Sequence, residues 1–159
     1  MRANRQSAAS GADLIQALVG SRIVSLRRHV LFYEPSRDEN GHGITEVHTS
    51  LGSVVIGAGP NDDSIVVAAG PLEHGRLDPA EWTTVVADSE GWWLALRDHT
   101  IHLVDIFTNG LRDVAYVFRL NPRERFSVVL CNGDLLFGRD LERFRDCPEG
   151  MPRFRARIR

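Results

Sequence analysis

Lysine is absent from this 159-residue chain, and all 19 of its basic residues are arginines. The absence excludes a lysine Schiff base, a P-loop lysine and a lysine general base. Cysteine is scarce as well, since the chain has two cysteines and no Cys-x-x-Cys motif. Two thiols do not make a disulfide framework, so we expect Cys131 and Cys147 to be reduced, with a bridge between them as the alternative.

Long apolar runs are also missing. No stretch approaches the roughly 18–20 consecutive apolar residues that a membrane-spanning helix needs. The first eleven residues lack the apolar core of a signal peptide, and the arginine bias is typical of a GC-rich genome. We therefore expect a cytoplasmic bacterial protein with no membrane contact. The length and a hydrophobic content of 43% suit one domain with its own core.

Charges of opposite sign are separated along the chain. Residues 34–113 carry fourteen acidic residues against four arginines, whereas residues 1–33 and 114–159 each have a net charge of +4. A surface of one sign steers a partner of the opposite sign toward it. The acidic middle therefore predicts a basic protein partner, and solvated loop carboxylates without a partner are the alternative.

A β-hairpin is the strongest local signal. Two apolar runs, residues 125–131 and 134–138, flank Asn132-Gly133, a dipeptide that suits a tight hairpin turn because both residues tolerate positive φ. Its Ser127-Val128-Val129 sequence repeats Ser53-Val54-Val55, which lies 74 positions earlier. Turn residues separate the other strand-like runs, which lie at residues 22–33, 44–49, 53–58, 64–69, 100–108 and 111–120.

Helices are predicted at three places. Ser10 and Asp13 form an N-cap pattern before apolar residues at helical spacing, and Gly20 can end that helix. A second helix is predicted to begin at Asp78-Pro79, where an N-cap residue precedes proline. Residues 92–97 are predicted to form a helical turn. Near the end, Phe154, Ala156 and Ile158 alternate with arginines, so this part of the chain is predicted either to add an edge strand or to stay a flexible basic tail.

Apolar residues recur at a constant offset of 78 positions: Leu14, Ala17, Leu18 and Ile23 correspond to Trp92, Ala95, Leu96 and Ile101. We therefore predict an α+β fold of two repeated units, each a short helix plus a four-stranded antiparallel meander, that share one core. Chance recurrence is the alternative. The predicted division is a flexible leader (1–9), a single domain (10–140) made of repeat A (10–69), a connector (70–91) and repeat B (92–140), and an arginine-rich tail (141–159).

One acidic residue falls on a strand face that we expect to be buried. Asp105 shares its face with Leu103 and Phe107, and a buried carboxylate needs a partner. Arg28 interrupts the apolar face of the first strand, so it needs a partner of opposite charge. We predict a buried ion pair between Asp105 and Arg28. Hydrogen bonds to the backbone, or a functional carboxylate, are the alternatives.

Signals for catalysis or metal binding are weak. Gly57-Ala58-Gly59 lacks the third glycine and the following helix of a dinucleotide-binding turn. The histidines are scattered, and His99 and His102 fall on opposite faces of a strand, which is poor metal geometry. No nucleophile motif accompanies either cysteine. We therefore predict no enzyme activity, no catalytic residue, no cofactor and no metal, with Asp105 or a histidine in a cleft as the alternative.

A set of carboxylates lies in and after the loops of the acidic middle: Glu34, Asp38, Glu39, Glu46, Asp62, Asp63, Glu73, Asp78 and Glu81. In this composition the chain resembles small bacterial immunity proteins, which neutralise a cognate toxin by binding it. The resemblance implies a tight protein–protein interface and no turnover. The residues predicted to bind a basic partner, such as a toxin, are Glu34, Asp38, Glu39, Glu46, Asp62, Asp63 and Glu73.

Two other kinds of function stay open. The shared core could enclose a small ligand, or the sheets could pair between chains to form a homodimer. Nucleic-acid binding is weakly compatible with the arginine-rich tail and its Phe144, Phe154 and Ile158. The net charge of −2 and the lack of a recognised module argue against nucleic acid as a partner.

Overall fold

The computed structural model contains one short helix and ten β-strands within the residues that it describes. Those residues are 10–31, 44–59, 61, 63–72, 82–86, 94–110, 112–120, 123–131, 134–138 and 152–159. The elements are α1 (Gly11–Leu18), β1 (Ile23–Leu31), β2 (Ile44–Thr49), β3 (Gly52–Ala58), β4 (Ile65–Ala69), β5 (Trp82–Val86), β6 (Leu103–Thr108), β7 (Asp113–Arg119), β8 (Arg125–Cys131), β9 (Asp134–Gly138) and β10 (Arg153–Ile158). The predicted leader, residues 1–9, lies outside the described residues.

The helix begins where its capping residues predict. The N–H of Asp13 donates to Oγ of Ser10 at 3.2 Å, and the N–H of Ser10 donates to the Asp13 carboxylate at 3.1 Å. This reciprocal capping is worth about 1 kcal/mol. The chain leaves the helix through Gly20 at φ +86°, a conformation that favours glycine. An eight-residue helix is not stable alone, so α1 depends on its packing against β3 and β4 through Ile15 and Leu18.

The strands form two antiparallel sheets of five strands each, with the same arrangement. In the first sheet β1 to β4 are successive neighbours, and β5 returns to the free side of β1. In the second sheet β6 to β9 are successive neighbours, and β10 returns to the free side of β6. Both four-stranded meanders are therefore present, and each has a fifth strand beside its first. The last of these, β10, agrees with the edge strand that was one of the two alternatives for the arginine-rich tail.

The second predicted helix is wrong in its described part. Residues 82–86 form strand β5, which pairs with β1 from Leu31 opposite Trp82 to Arg27 opposite Val86. Four of the five residues of β5 are β-branched and favour a strand over a helix, namely Thr83, Thr84, Val85 and Val86. The capping signal at Asp78-Pro79 lies outside the described residues.

One apolar core joins α1 to both sheets. It includes residues that are at most 2% exposed from the helix and from each sheet: Leu18, Val47, Ile56, Phe118 and Phe126. The rings of Phe118 and Phe126 stack with their centroids 4.5 Å apart. A single sheet with one apolar side is marginally stable, so the two sheets depend on each other. We call the side of each sheet that carries these residues its core face, and the opposite side its outer face.

A bulge changes the predicted face of one residue. Regular alternation along β1 places Val24 on the face of Leu26 and Arg28, but Val24 is 44% exposed. The register of β1 against β2 shifts between Ile23 and Ser25, and an extra residue at a bulge turns its side chain away from the regular alternation. Beyond the bulge, Leu26 and Arg28 are buried as expected.

A short antiparallel contact joins the two halves of the chain around a bridge between Arg22 and Thr100. Four backbone hydrogen bonds surround it: Ile23 N to His99 O (2.9 Å), Ile101 N to Ser21 O (2.8 Å), Gly20 N to Ile101 O (2.7 Å) and Asp98 N to Ile23 O (2.9 Å). Exchanging each residue for its equivalent 78 positions away converts the first bond into the second and the third into the fourth. The contact therefore has local two-fold symmetry. Gly20 and Asp98, with φ of 86° and 67°, are equivalent by the same offset.

Cys131, at the end of β8, is disulfide-bonded. The other cysteine of the chain, Cys147, lies outside the described residues. The finding corrects the prediction that Cys131 is reduced and agrees with the alternative of a bridge. A disulfide stabilises the folded state chiefly by restricting the unfolded chain.

Thr45 offers a test of the core packing. Its side chain is fully buried between Arg28 of β1 and Ile56 of β3, and its Oγ1 has no hydrogen-bond partner in the described structure. We expect Thr45→Val to raise the free energy of unfolding in urea by about 1 kcal/mol, because it removes an unpaired buried hydroxyl and keeps the shape. Thr45→Ala also removes a methyl group, so this control should show no gain. A loss of stability in Thr45→Val would contradict the unpaired state of the hydroxyl.

Candidate functional site

The outer face of the second sheet is organised in rows that cross its five strands from β10 to β9. One row is apolar and consists of Phe154, Phe107, Ala115, Val129 and Leu136. The adjacent row carries charge at its β10 end and consists of Arg157, Asp105, Val117, Ser127 and Gly138. Side chains alternate between faces along a strand, so both rows point away from the shared core.

Asp105 lies between two arginines. Arg157 of β10 donates from Nε to Oδ1 at 2.6 Å and from Nη2 to Oδ2 at 3.1 Å. Arg119 of β7 donates from Nε to Oδ2 at 2.8 Å. Burial would raise the pKa of the Asp105 carboxyl, but the hydrogen bonds and charges of Arg157 and Arg119 outweigh burial and lower that pKa below its ordinary value. We call these three residues the Asp105 cluster.

The predicted ion pair between Asp105 and Arg28 is thus replaced by pairs with Arg119 and Arg157. Arg28 is 3% exposed on the core face of the first sheet, whereas Asp105 is 1% exposed on the outer face of the second. Both residues are buried as expected, but they lie on faces that do not meet, because Val104 rather than Asp105 lies in the shared core. Both faces of β6 are largely apolar, so alternation alone does not show which face is inside.

The two arginines retain hydrogen-bonding capacity that Asp105 does not use. Among the contacts of the described residues, Arg119 donates only from Nε, and Arg157 leaves its Nη1 group unused. Their side chains are 38% and 37% exposed. Within the part of the chain that the structure describes, two guanidinium groups face one carboxylate, so the cluster has excess positive charge and unpaired N–H groups at the surface. Such groups bind carboxylates and phosphates well.

An exposed aromatic ring lies beside the Asp105 cluster. Phe154 is 57% exposed, and its ring meets Phe107 edge-on, with the centroids 5.9 Å apart. The guanidinium carbon of Arg157 lies 6.0 Å from the centroid of the Phe154 ring, a distance at which a cation is attracted to the ring face. Phe154 and the cluster therefore form one continuous surface.

Strand β10 presents this surface at an open sheet edge. Among the described strands β10 pairs with β6 alone, and four of its six residues are exposed: Arg153, Phe154, Arg155 and Arg157. Its register against β6 shifts between Phe154 and Ala156, so Arg155 forms a bulge. With respect to the other described strands, the edge is thus interrupted at one point and open on either side of it.

An ion pair holds the bulge in place. Arg155 donates from Nε and Nη2 to the two carboxylate oxygens of Asp113 on β7, at 2.7 and 2.9 Å. The hydrogen bond to Asp113 raises the pKa of Arg155. Burial and the nearby Asp113 charge raise the pKa of Tyr116 to about 12, so the Tyr116 hydroxyl stays neutral at physiological pH. This pair ties β10 to the sheet without using the arginines of the Asp105 cluster.

The outer face of the first sheet has a buried carboxylate of its own. Oε2 of Glu46 lies 2.7 Å from Nε2 of His48, and Oε1 lies 3.2 Å from Nε2 of His29 and accepts from the N–H of Leu72 at 2.9 Å. Burial would raise the pKa of Glu46, but the hydrogen bonds from His48 and Leu72 and the interaction with His29 lower it. These two histidines were not predicted to lie beside Glu46, although His48 follows Glu46 at the two-residue spacing of one strand face.

The acidic residues predicted to bind a partner are only partly described. Glu46 is not an exposed carboxylate, because its side chain is 3% exposed, and this corrects its predicted place on the surface. Asp63 forms an ion pair with Arg112. The others lie outside the described residues, and their role stays a prediction: Glu34, Asp38, Glu39, Asp62 and Glu73.

The described residues contain no group of three or more His, Cys, Asp and Glu side chains arranged to hold a metal ion. Their one helix is too short to cross a membrane. The fold is thus a pair of five-stranded antiparallel sheets with a short helix and an arginine-lined sheet edge. Comparisons with protein-family models, with curated proteins and with solved structures find no match to this chain. Its function has to be inferred from its own surfaces.

The lowered pKa values of Asp105 and Glu46 predict a loss of stability in acid. A carboxyl whose folded pKa lies below its unfolded pKa contributes stability above the unfolded value, and that contribution disappears as pH falls through the folded value. We expect the free energy of unfolding to decrease as the pH drops below about 5, because the carboxyl groups of the unfolded chain bind protons at a higher pH than those of the folded chain. Urea unfolding measured between neutral pH and the acid limit checks this.

Asp105→Asn is the matched variant. It should lower the free energy of unfolding at neutral pH by about 2 kcal/mol, less than a fully buried pair would lose because both arginines are more than one-third exposed. The difference between wild type and variant should shrink as pH falls, since the wild-type carboxylate is then protonated as well. A difference that stays constant with pH would contradict the lowered pKa of Asp105.

Proposed function

We propose that this protein is a non-catalytic protein-binding domain and that its partner pairs with the edge of strand β10. One observation carries the proposal: among the described residues, the exposed ring of Phe154 lies beside unpaired guanidinium N–H groups at an open sheet edge. Such an edge offers backbone N–H and C=O groups to an extended segment, which adds a strand to the sheet. The neighbouring side chains then select which segment binds.

Two of the three other described edges, β9 and β4, are less suited to a partner. On β9, Leu135 and Phe137 are 5% and 0% exposed, and β4 is packed against α1. Arginines on β10 also hinder pairing with a second copy of β10, because like charges opposite each other are destabilising. The edge therefore favours pairing with a segment other than a second copy of β10, one that offsets the positive charge of the β10 arginines.

The toxin-neutralising form of the proposal, implied by the resemblance to immunity proteins, uses a different surface. It needs exposed carboxylates, and Glu46 and Asp63 are engaged within the fold. It therefore depends on Glu34, Asp38, Glu39, Asp62 and Glu73. In that form a basic partner covers the acidic middle of the chain and leaves β10 open, so the two forms differ in which surface the partner protects.

We also propose that the two sheets are copies of one unit. Three observations support this: the sheets share one strand arrangement, the hydrogen bonds between the halves are related by an offset of 78 residues, and equivalent residues such as Ile23 and Ile101 are both 0% exposed. Superposition of the two halves in an experimental structure is the check. Agreement no better than that of unrelated four-stranded sheets would contradict the duplication.

The cytoplasmic location predicted from the sequence is likewise a proposal, and one finding argues against it. Cys131 is disulfide-bonded, and disulfides persist in oxidising compartments but are rare in a reducing cytosol. Alkylation of thiols in protein taken directly from its source cells distinguishes the cytoplasm from an oxidising compartment. Modification of Cys131 supports the cytoplasm, and an unmodified Cys131 supports an oxidising compartment.

Partner capture followed by hydrogen exchange tests the binding function. The tagged protein is incubated with source lysate at low salt, and backbone exchange is compared with and without the captured partner. We expect slower exchange at residues 153–158, because strand pairing would engage amides that face solvent in the free protein. Failure to recover a stoichiometric partner, or protection only elsewhere, contradicts pairing at β10. Protection confined to residues 34–73 supports the toxin-neutralising form.

Two exposed apolar residues give a matched comparison. Phe154→Ala should weaken capture by about tenfold or more, since an aromatic anchor at an interface centre commonly contributes that much. Leu51→Ala is the control, because Leu51 is 70% exposed at the turn between β2 and β3 and lies away from β10. Equal capture by the two variants would argue against contact with Phe154.

A further inference from the structure

We infer that the segment pairing with β10 carries an oxyanion, a carboxylate or a phosphate, which binds the unpaired N–H groups of Arg119 and Arg157. The inference rests on the proposed function, because it names the chemistry of the partner at the same edge. Two features of the Asp105 cluster carry it: the arginines are held in place before binding, and their charge is only partly neutralised.

Asp105 orients both arginines. Its Oδ2 accepts from Nε of Arg119 at 2.8 Å and from Nη2 of Arg157 at 3.1 Å, so the two guanidinium groups lie close together. Long side chains that are fixed beforehand lose less conformational entropy when a ligand binds. The groups left over are both Nη atoms of Arg119 and Nη1 of Arg157. A planar guanidinium matches the paired oxygens of a carboxylate or phosphate.

The charge of the cluster selects an anion. One aspartate neutralises only one of the two arginines, whereas the neighbouring Arg155 is already paired with Asp113. A strand laid along β10 would remove water from the remaining charge. Desolvating an unpaired cation costs free energy, and an oxyanion on the incoming segment offsets that cost. A neutral or basic segment has no such group.

The position of Phe154 limits the segment further. Phe154 and Arg157 both lie on the outer face, with the bulge at Arg155 between them. A paired strand presents alternate residues to that face. A segment that places an oxyanion near Arg157 therefore presents the residue two positions away to the same face near Phe154. An apolar residue suits that position. The predicted segment is extended and carries an acidic or phosphorylated residue and an apolar residue two positions apart.

Three capped peptides test the inference. They share the sequence Thr-Thr-Xaa-Thr-Val-Thr-Thr, in which Xaa is glutamate, phosphoserine or glutamine. Each is titrated into ¹⁵N-labelled full-length protein and followed by NMR. We expect the glutamate or the phosphoserine peptide to shift the amides of residues 153–158 and the Nε–H signals of Arg119 and Arg157. It should bind about tenfold or more tightly than the glutamine peptide, as charge-assisted hydrogen bonds predict. The stronger of the two arms identifies the source of the oxyanion.

Variants locate the contact. Arg119→Gln should reduce the affinity of the anionic peptide to that of the glutamine peptide. Arg22→Gln removes the same charge from an arginine of the first half whose side chain is 60% exposed, and it should leave the affinity unchanged. Phe154→Ala removes an exposed ring and keeps both arginines, so it should weaken all three peptides alike. This third variant keeps the test decisive even where Arg119→Gln fails to fold.

The outcomes separate this inference from the function on which it rests. Equal binding of the three peptides at β10 overturns the oxyanion and leaves strand pairing in place. Absence of shifts at β10 with all three peptides also overturns the inference, while hydrogen exchange of the complex with the captured partner decides the proposed function independently. An equal loss of affinity in Arg22→Gln and Arg119→Gln shows attraction by net charge alone and overturns the specific contact.

Discussion

Each sheet has an apolar side that faces the other sheet and is unstable in water, and the rest of the structure depends on the covering of one such side by the other. The core between them takes residues from α1, from β2 and β3, and from β7 and β8. The backbone contact around Arg22 and Thr100 joins the chain halves next to this core. Because this core takes up one face of each sheet, the carboxylates of Glu46 and Asp105 meet their partners on the outer faces.

Each outer face has a buried carboxylate that needs partners, and the partner residues differ between the two faces. Each buries one carboxylate, and each surrounds it with two nitrogen-bearing side chains: Glu46 with His29 and His48, and Asp105 with Arg119 and Arg157. The difference lies in what remains at the surface. The backbone N–H of Leu72 also donates to Glu46, whereas arginines offer five donors each and keep some of them free. This surplus makes the second face the better candidate for binding.

Local signals predicted the elements well. The cap formed by Ser10 and Asp13 and the hairpin of β8 and β9 depend on neighbouring residues, so their positions could be derived from the sequence. The partners of Asp105 could not, because Arg157 lies 52 residues away and only the return of β10 beside β6 brings the two together. The strand β5 was missed for a related reason, since a capping signal outweighed a β-branched run whose pairing with β1 is non-local.

The Asp105 cluster owes its positive charge entirely to guanidinium groups. A guanidinium remains protonated throughout the pH range in which proteins are folded, and Asp105 raises the pKa of Arg157 further. Acetylation, which removes the charge of lysine, has no lysine to modify in this chain. The cluster is therefore a constant cation that neither acid nor acylation can switch off. For a segment proposed to dock beside it, acid or acylation would therefore act only through the visiting molecule, for example by protonating or masking its negative group.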